Sequence, residues 1–242
     1  LIYRTEDLDQ ARCREAYTQE AQADLHWLGI TWQEGPDVGG PHAPYQQSAR
    51  LAFYSTIWQK LHATGLIYPC DKSRQDVARS LQAPHAEDDR EPIFPPELRP
   101  SAQAHLGATD PGKSNWRFRV PDGEVIRFVD EIQGPQTFTA GKDFGDFLVW
   151  RKDGFPSYEL AVVSDDHAMG ITEVVRGSDL LLSTARQKLL YRALGWTEPA
   201  WAHASLILDQ HGQRLAKRTE GLSIQSLRER GKTPAEVLTA PV

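Results

Sequence analysis

Three short stretches of the sequence carry residue types and spacings that can do chemistry. Arg4-Thr5-Glu6-Asp7-Leu8-Asp9 concentrates carboxylates in one turn, Arg176-Gly177-Ser178-Asp179 sets an arginine before a small polar turn, and Arg214-Leu215-Ala216-Lys217-Arg218 packs cations into a short loop. A carboxylate in such a turn can hold an ammonium group or complement the positive end of a helix dipole. An arginine can grip a carboxylate through two parallel N–H bonds, or pair with an acid inside its own turn. A basic loop can neutralise phosphates, or simply be a solvated surface. Taken singly, none of the three identifies a reaction.

The elements around them say how they are positioned. Leu1 to Tyr3 reads as the tail of a strand delivering the Arg4–Asp9 turn. A helix follows, with Cys13, Tyr17, Ala21, Leu25 and Leu28 on one stripe and Gly29 as its stop. Cys13 on that stripe reads as a small buried hydrophobe. A second helix from about Gln47 carries Leu51, Tyr54, Trp58 and Leu61 and ends at Gly65, and Leu66-Ile67-Tyr68 is a short strand closed by Pro69. From Asp71 to about Asn115 Pro84, Pro92, Pro95, Pro96 and Pro100 interrupt any long element, which marks an insertion with loops. Trp116–Val120, Val125–Val129 and Phe147–Trp150 then predict strands, the last running into the hairpin-like Lys152-Asp153-Gly154. Leu160-Ala161-Val162-Val163 and Thr172-Glu173-Val174-Val175 are expected as buried strands, followed by a helix with Ser183 as N-cap and Gly195 beyond its end. Strand, connection and helix at this spacing predict a parallel α/β sheet, whose ligands sit beyond the C-terminal ends of the strands. Arg4–Asp9 and Arg176–Asp179 occupy such places.

Bulk properties narrow the class. With 242 residues and 40% apolar content the chain can bury the core of one large domain or a domain with an insertion. No apolar run approaches the roughly 20 residues of a membrane-spanning helix. Nothing at Leu1-Ile2-Tyr3-Arg4 resembles a secretory signal, and Cys13 and Cys70 are the sole cysteines, so a cytoplasmic, reducing setting is expected and no disulfide framework. The net charge of −6 argues against blanket nucleic-acid affinity, yet His211–Lys232 holds Arg214, Lys217, Arg218, Arg228, Arg230 and Lys232 against Glu220 and Glu229.

In combination and order the motifs become specific. Arg-x-Glu-Asp-Leu-Asp near the start, Tyr158-x-Leu-Ala-Val-Val-x-Asp-Asp with Gly170-Ile171-Thr172, Val-x-Arg176-Gly-x-Asp with a downstream Arg-Gln, and Arg-Leu-Ala-Lys217-Arg resemble the glutamyl-tRNA synthetase family of class I aminoacyl-tRNA synthetases over nearly the whole chain. The resemblance implies a Rossmann-type α/β catalytic domain in two parts, 1–67 and 158–205, an inserted α+β subdomain at 68–157 and a lysine-signature loop with a helical tail at 206–242. It implies glutamate, ATP and tRNA as partners, Mg2+ as the nucleotide's counter-ion and a monomeric enzyme. Glu6 would meet the ammonium of glutamate, Tyr158 would hydrogen-bond the substrate, and Arg176 would take the side-chain carboxylate in bidentate fashion. Lys217, at the second lysine of the Lys-Met-Ser-Lys-Ser signature, would neutralise ATP phosphates, with Arg214 at the first lysine and Arg218 at the final serine.

Two departures from the family pattern stand out. No His-x-Gly-His stretch, the family's first ATP-binding motif, occurs in these residues: His26 lies mid-helix and His42 in a Gly/Pro loop. The sequence is therefore expected to be a fragment that does not adenylate glutamate by itself. Relatives with a zinc site in the insertion use several cysteines, whereas Tyr68-Pro69-Cys70-Asp71-Lys72 has one, and His85 and His105 stand at no recognised spacing from it, so no zinc centre is expected. Leu180, where discriminating synthetases usually have His, and the ending Gly231–Leu238 resemble the short tRNA-modifying branch, which attaches glutamate to queuosine in the anticodon of tRNA(Asp). A piece of an ordinary synthetase charging tRNA(Glu) and a non-catalytic tRNA- or nucleotide-binding remnant remain the alternatives. The insertion and the basic tail are the expected tRNA-facing surfaces.

Overall fold

Pro69, expected to close a strand, lies inside one, because its strand is at a sheet edge where a missing N–H breaks no ladder bond. The computed structural model describes residues 1–9, 11–72, 76–77, 93–101, 103–104, 106–206 and 223–239. They fall into two compact units, Leu1–Ala49 with Ser205–Val242, and Arg50–Ala204.

In the first unit the chain start runs beside two later segments, with parallel bridges Ile2↔Glu34 and Thr5↔Gln46. Helix α1 spans Glu15–Trp27. It buries no residue within this structure, and Tyr17 is 53% exposed. The apolar stripe is thus not a core face, and Cys13 precedes the helix, half-buried, with Sγ 3.9 Å from the Glu6 carbonyl oxygen. Two short tail helices follow far along the sequence, Ile224–Glu229 and Pro234–Thr239. The first meets α1 through Arg228, whose Nη1 is 2.6 Å from Asp24 and whose guanidinium lies over the Trp27 ring.

The second unit opens with α2, Leu51–Ala63, burying Tyr54, Ile57, Trp58 and Leu61 on the face that the 3.6-residue period predicts. Strands β1 (Ile67–Cys70), β2 (Asn115–Phe118) and β5 (Phe147–Trp150) form an antiparallel sheet in the order β1-β2-β5. Trp116 of β2 packs edge-on against Trp58 at 4.8 Å. Strands β3 (Val125–Asp130) and β4 (Gly134–Thr139) make a hairpin; β4, which opens on Gly-Pro, gave no alternating pattern to read. Asp146 gathers the insertion: its carboxylate accepts from the Tyr68 hydroxyl (2.5 Å), Arg99 (2.7 Å) and the Val120 N–H (2.9 Å). Cys70 sits in an apolar cluster with Tyr68, Val77 and Phe94.

Leu160–Val163, expected as a strand, is the heart of helix α3, Tyr158–Ala168. Ser157 caps it by accepting from the Leu160 N–H, and every residue from Glu159 to Asp166 is buried. A segment packed on all sides shows no amphipathic period, so a β-branched apolar run looks the same in either state. Its Asp165 accepts from Arg50 Nε and the Tyr54 hydroxyl, each at 2.8 Å. Strand β6 (Glu173–Gly177) pairs in parallel with β7 (Ala200–Ala204), the connection being helix α4, Leu181–Leu194. Leu180, not Ser183, is the N-cap of α4, and Gly195 ends it in the left-handed conformation, φ +67°. Ser183 instead donates to Glu159 Oε1 at 2.9 Å. None of the described helices is long and apolar enough to cross a membrane.

Candidate functional site

The parallel pairing of β6 and β7 sets Arg176 opposite His203. Residues facing each other across such a pair project to one side of the sheet, and Trp201, two positions earlier on β7, shares that side. The guanidinium of Arg176 accordingly lies over the Trp201 ring at 5.0 Å, and its Nε donates to His203 Nε2 at 3.1 Å. The first two turns of α4 and its N-cap residue supply the rest of the cradle. Arg176 Nη2 donates to Thr184 Oγ1 at 2.7 Å and to Gln187 Oε1 at 2.9 Å, and reaches the Leu180 carbonyl at 3.4 Å. Thr184, Gln187 and His203 are fully buried.

Three of the five guanidinium N–H groups are therefore committed inward. The exposed edge is Nη1, 3.4 Å from the hydroxyl of Tyr158, the first residue of α3. Tyr158 is 37% exposed. Arg176 Nη1 and the Tyr158 hydroxyl are thus neighbouring polar groups contributed by two elements. Behind Tyr158, burial raises the affinity of Glu159 for its proton, an effect that Arg186 and the Ser183 hydroxyl oppose.

Glu6 belongs to the first unit. Its carboxylate is 3.2 Å from Arg4 Nη2 and its side chain is 41% exposed. Asp7 beside it does a local job, accepting from the Ser48 backbone N–H at 2.8 Å and hydroxyl at 2.5 Å. Asp9 likewise stays local, its carbonyl taking the N–H groups of Arg12 and Cys13. The Asp9 carboxylate lies 3.5 Å from Arg12 Nε and is 47% exposed, so Glu6 and Asp9 both present open carboxylates at this strand-end turn, each with one arginine nearby. A cleft of about 440 Å³ in the same unit is lined by Thr5, Asp7, Arg14, Gln19, Gln46 and Ser48 among others.

Lys217, Arg214 and Arg218 lie outside the described residues, as do His85 and His105. Among the described residues no group of three or more His, Cys, Asp or Glu could hold a metal ion. His203 and Thr184 belong to none of the sequence motifs, and Gln187 belongs to one without an assigned role. Gln187 was legible only as the second residue of the Arg186-Gln187 pair downstream of Arg176, Thr184 carried no signal of its own, and His203 sits in a five-residue strand too short to announce itself.

Comparison with known proteins places the chain in context. The family model described as "tRNA synthetases class I (E and Q), catalytic domain" matches residues 1–240. The chain is 46% identical over 239 residues to a glutamyl-Q tRNA(Asp) synthetase of Symbiobacterium thermophilum, covering 98% of this chain and 73% of the relative. It is 40% identical over 240 residues to glutamate–tRNA ligase 2 of Nitrosococcus oceani, of which it spans 49%. Among solved structures, a glutamate tRNA ligase from Elizabethkingia meningosepticum in complex with its amino acid matches with a TM-score of 0.73 and 30% identity, over 90% of this chain and 45% of that one.

Proposed function

This chain belongs to the class I tRNA synthetase (E and Q) catalytic-domain family, with its Rossmann-type α/β fold, and from that premise we propose that it activates L-glutamate with ATP and transfers it to queuosine in the anticodon of tRNA(Asp). The observation that carries the glutamate half is the Arg176 guanidinium, held on three sides and presenting Nη1 beside Tyr158. The 46% identity to a glutamyl-Q tRNA(Asp) synthetase favours the tRNA-modifying branch over charging of tRNA(Glu).

On this reading Arg176 and Tyr158 take the side-chain carboxylate of glutamate and Glu6 takes its ammonium. Glutamine, with a neutral amide in place of the carboxylate, forfeits the ion pair with Arg176 and keeps at most a hydrogen bond to its amide oxygen. The α-carboxylate attacks the α-phosphorus of ATP, giving glutamyl adenylate and pyrophosphate. Lys217, assisted by Arg214, neutralises the phosphate charge, and Mg2+ accompanies the nucleotide. Residues 1–67 and 158–205 serve as the catalytic domain, 68–157 as the insertion and 206–242 as the lysine loop and tail, acting as a cytoplasmic monomer.

The test of function is transfer of labelled glutamate by the protein expressed from its whole reading frame. Label on queuosine-bearing tRNA(Asp), and none on tRNA(Glu), supports the proposal; label at the 3′ end of tRNA(Glu) assigns the protein to ordinary charging instead.

A further inference from the structure

We infer that Asp130 and His203 are positioning residues for substrate, acting through Arg176: the carboxylate sets the imidazole's tautomer, and the imidazole then holds the guanidinium so that Nη1 faces outward. The inference rests on the glutamate-binding reading above and assigns the discriminating arginine its support.

The chain of contacts is short and buried. The turn of the β3–β4 hairpin docks on β7, with the Glu131 N–H donating to the Trp201 carbonyl at 2.8 Å and Gln133 Nε2 to the His203 carbonyl at 2.9 Å. This docking brings Asp130 Oδ2 to 2.5 Å from His203 Nδ1, both side chains being fully buried. The other oxygen of Asp130 accepts three backbone N–H groups, those of Ile132 (3.1 Å), Gln133 (2.8 Å) and His203 (3.1 Å).

The protons follow from these partners. Burial alone would favour the neutral acid at Asp130, but the bonds from His203 and from the three backbone donors outweigh it and hold the carboxyl at about 2. An ionised Asp130 has no proton to give, so His203 Nδ1 must donate. On the opposite side of the ring, His203 Nε2 meets Arg176 Nε at 3.1 Å, a donor without acceptor capacity, and the Thr184 hydroxyl at 3.2 Å, which can give its own proton, so an accepting Nε2 satisfies both partners whereas an Nε2–H would oppose Arg176. Both constraints select one species, the neutral imidazole with its proton on Nδ1. The other tautomer would set two N–H groups against each other at Arg176. Arg176, lacking the Nε anchor, could then rotate away from Tyr158.

Asp130→Asn separates positioning from packing. The Asn oxygen is retained by the three backbone donors, so its NH2 faces the ring and forces Nδ1 to accept. This is the tautomer reversal that an Asp-to-Asn change produces in a serine-protease triad. The 242-residue chain with 15N-labelled histidine and arginine is examined with and without glutamate. The wild type is expected to show the Nδ1–H tautomer at His203 and an Arg176 Nε–H signal protected from solvent exchange. In D130N the tautomer reverses, the Arg176 signal exchanges at least ten times faster, and the glutamate dissociation constant rises about tenfold. Should D130N fail to fold, His203→Gln, which keeps an acceptor for Arg176, is expected to preserve the protected signal and His203→Leu to lose it. An Nε2–H tautomer in the wild type overturns the inference. So does an Arg176 signal unchanged in D130N, or equal in the two His203 variants. A wild-type chain that binds no glutamate counts against the proposed function instead, and the nitrogen signals then decide the positioning role alone.

Discussion

Arg176 and His203 occupy one register position of the parallel pair β6–β7, and the arginine's Nε donates to the imidazole's Nε2 at 3.1 Å. A strand-end arginine is ordinarily a mobile chain with about 2 kcal/mol of rotamer entropy to lose on binding. Here β7 and α4 have already immobilised it. The site invests folding energy in one orientation of one cation.

That preorganisation is testable at Thr184, whose hydroxyl is buried and accepts from Arg176 Nη2 at 2.7 Å. Thr184→Val keeps the shape and removes the acceptor. Loss of a hydrogen bond to a charged group costs about 1.5–3 kcal/mol. Titration of glutamate into the variant chain is expected to show a several-fold or greater weakening together with a lower thermal midpoint, because the lost bond is made within the fold and its removal leaves a buried guanidinium donor without its acceptor. A large fall in midpoint with unaltered affinity would make Thr184 a core residue only.

Asp130 predicts a pH dependence of stability. Its carboxyl is lowered from the ordinary 3.8 to about 2 in the folded chain. A depressed acid stabilises the fold fully above its unfolded value and loses that contribution as pH falls toward its folded one. Between pH ~5 and ~2 the unfolding free energy of the wild type should therefore drop by roughly 2 kcal/mol more than that of Asp130→Asn. Denaturant titrations across this range measure the difference; parallel pH profiles in the two chains would contradict it.

Helix α3 supplies a third check. Ser157 is extended, and its hydroxyl accepts from the Leu160 N–H at the helix start. Ser157→Ala should cost about 1 kcal/mol. Because Tyr158 is the next residue, glutamate affinity should also fall, by several-fold. Chemical denaturation and titration on one sample give both numbers, and an affinity unaffected by a confirmed stability loss would detach the cap from the site.

Legibility of the site followed the range of the interactions. Gly29, Gly65 and Gly195 marked helix ends correctly because a positive-φ stop is a one-residue signal. Tyr54, Trp58 and Leu61 lined up as a core face because α2 has a wet side. Helix α3 has none, so Leu160-Ala161-Val162-Val163 offered no period, and the pairing of Asp165 with Arg50, 115 residues away, left no local trace. Ser183 had the chemistry of a cap, but the chain enters α4 through a 3-10 turn at Ser178–Leu180, and the hydroxyl goes to Glu159. Arg176 and Tyr158 were found from motifs, whereas Asp130 and His203 meet only through the docking of a hairpin on a distant strand. That contact exists in three dimensions alone.

The most direct measurement is a paired calorimetric titration of glutamate and glutamine into the wild-type chain and Arg176→Ala. With Arg176 in place, glutamate is expected to bind at least tenfold more tightly than glutamine, and in the variant that preference should vanish through loss of glutamate affinity. An undiminished preference for glutamate in Arg176→Ala would contradict the account, since the selecting cation would then lie elsewhere.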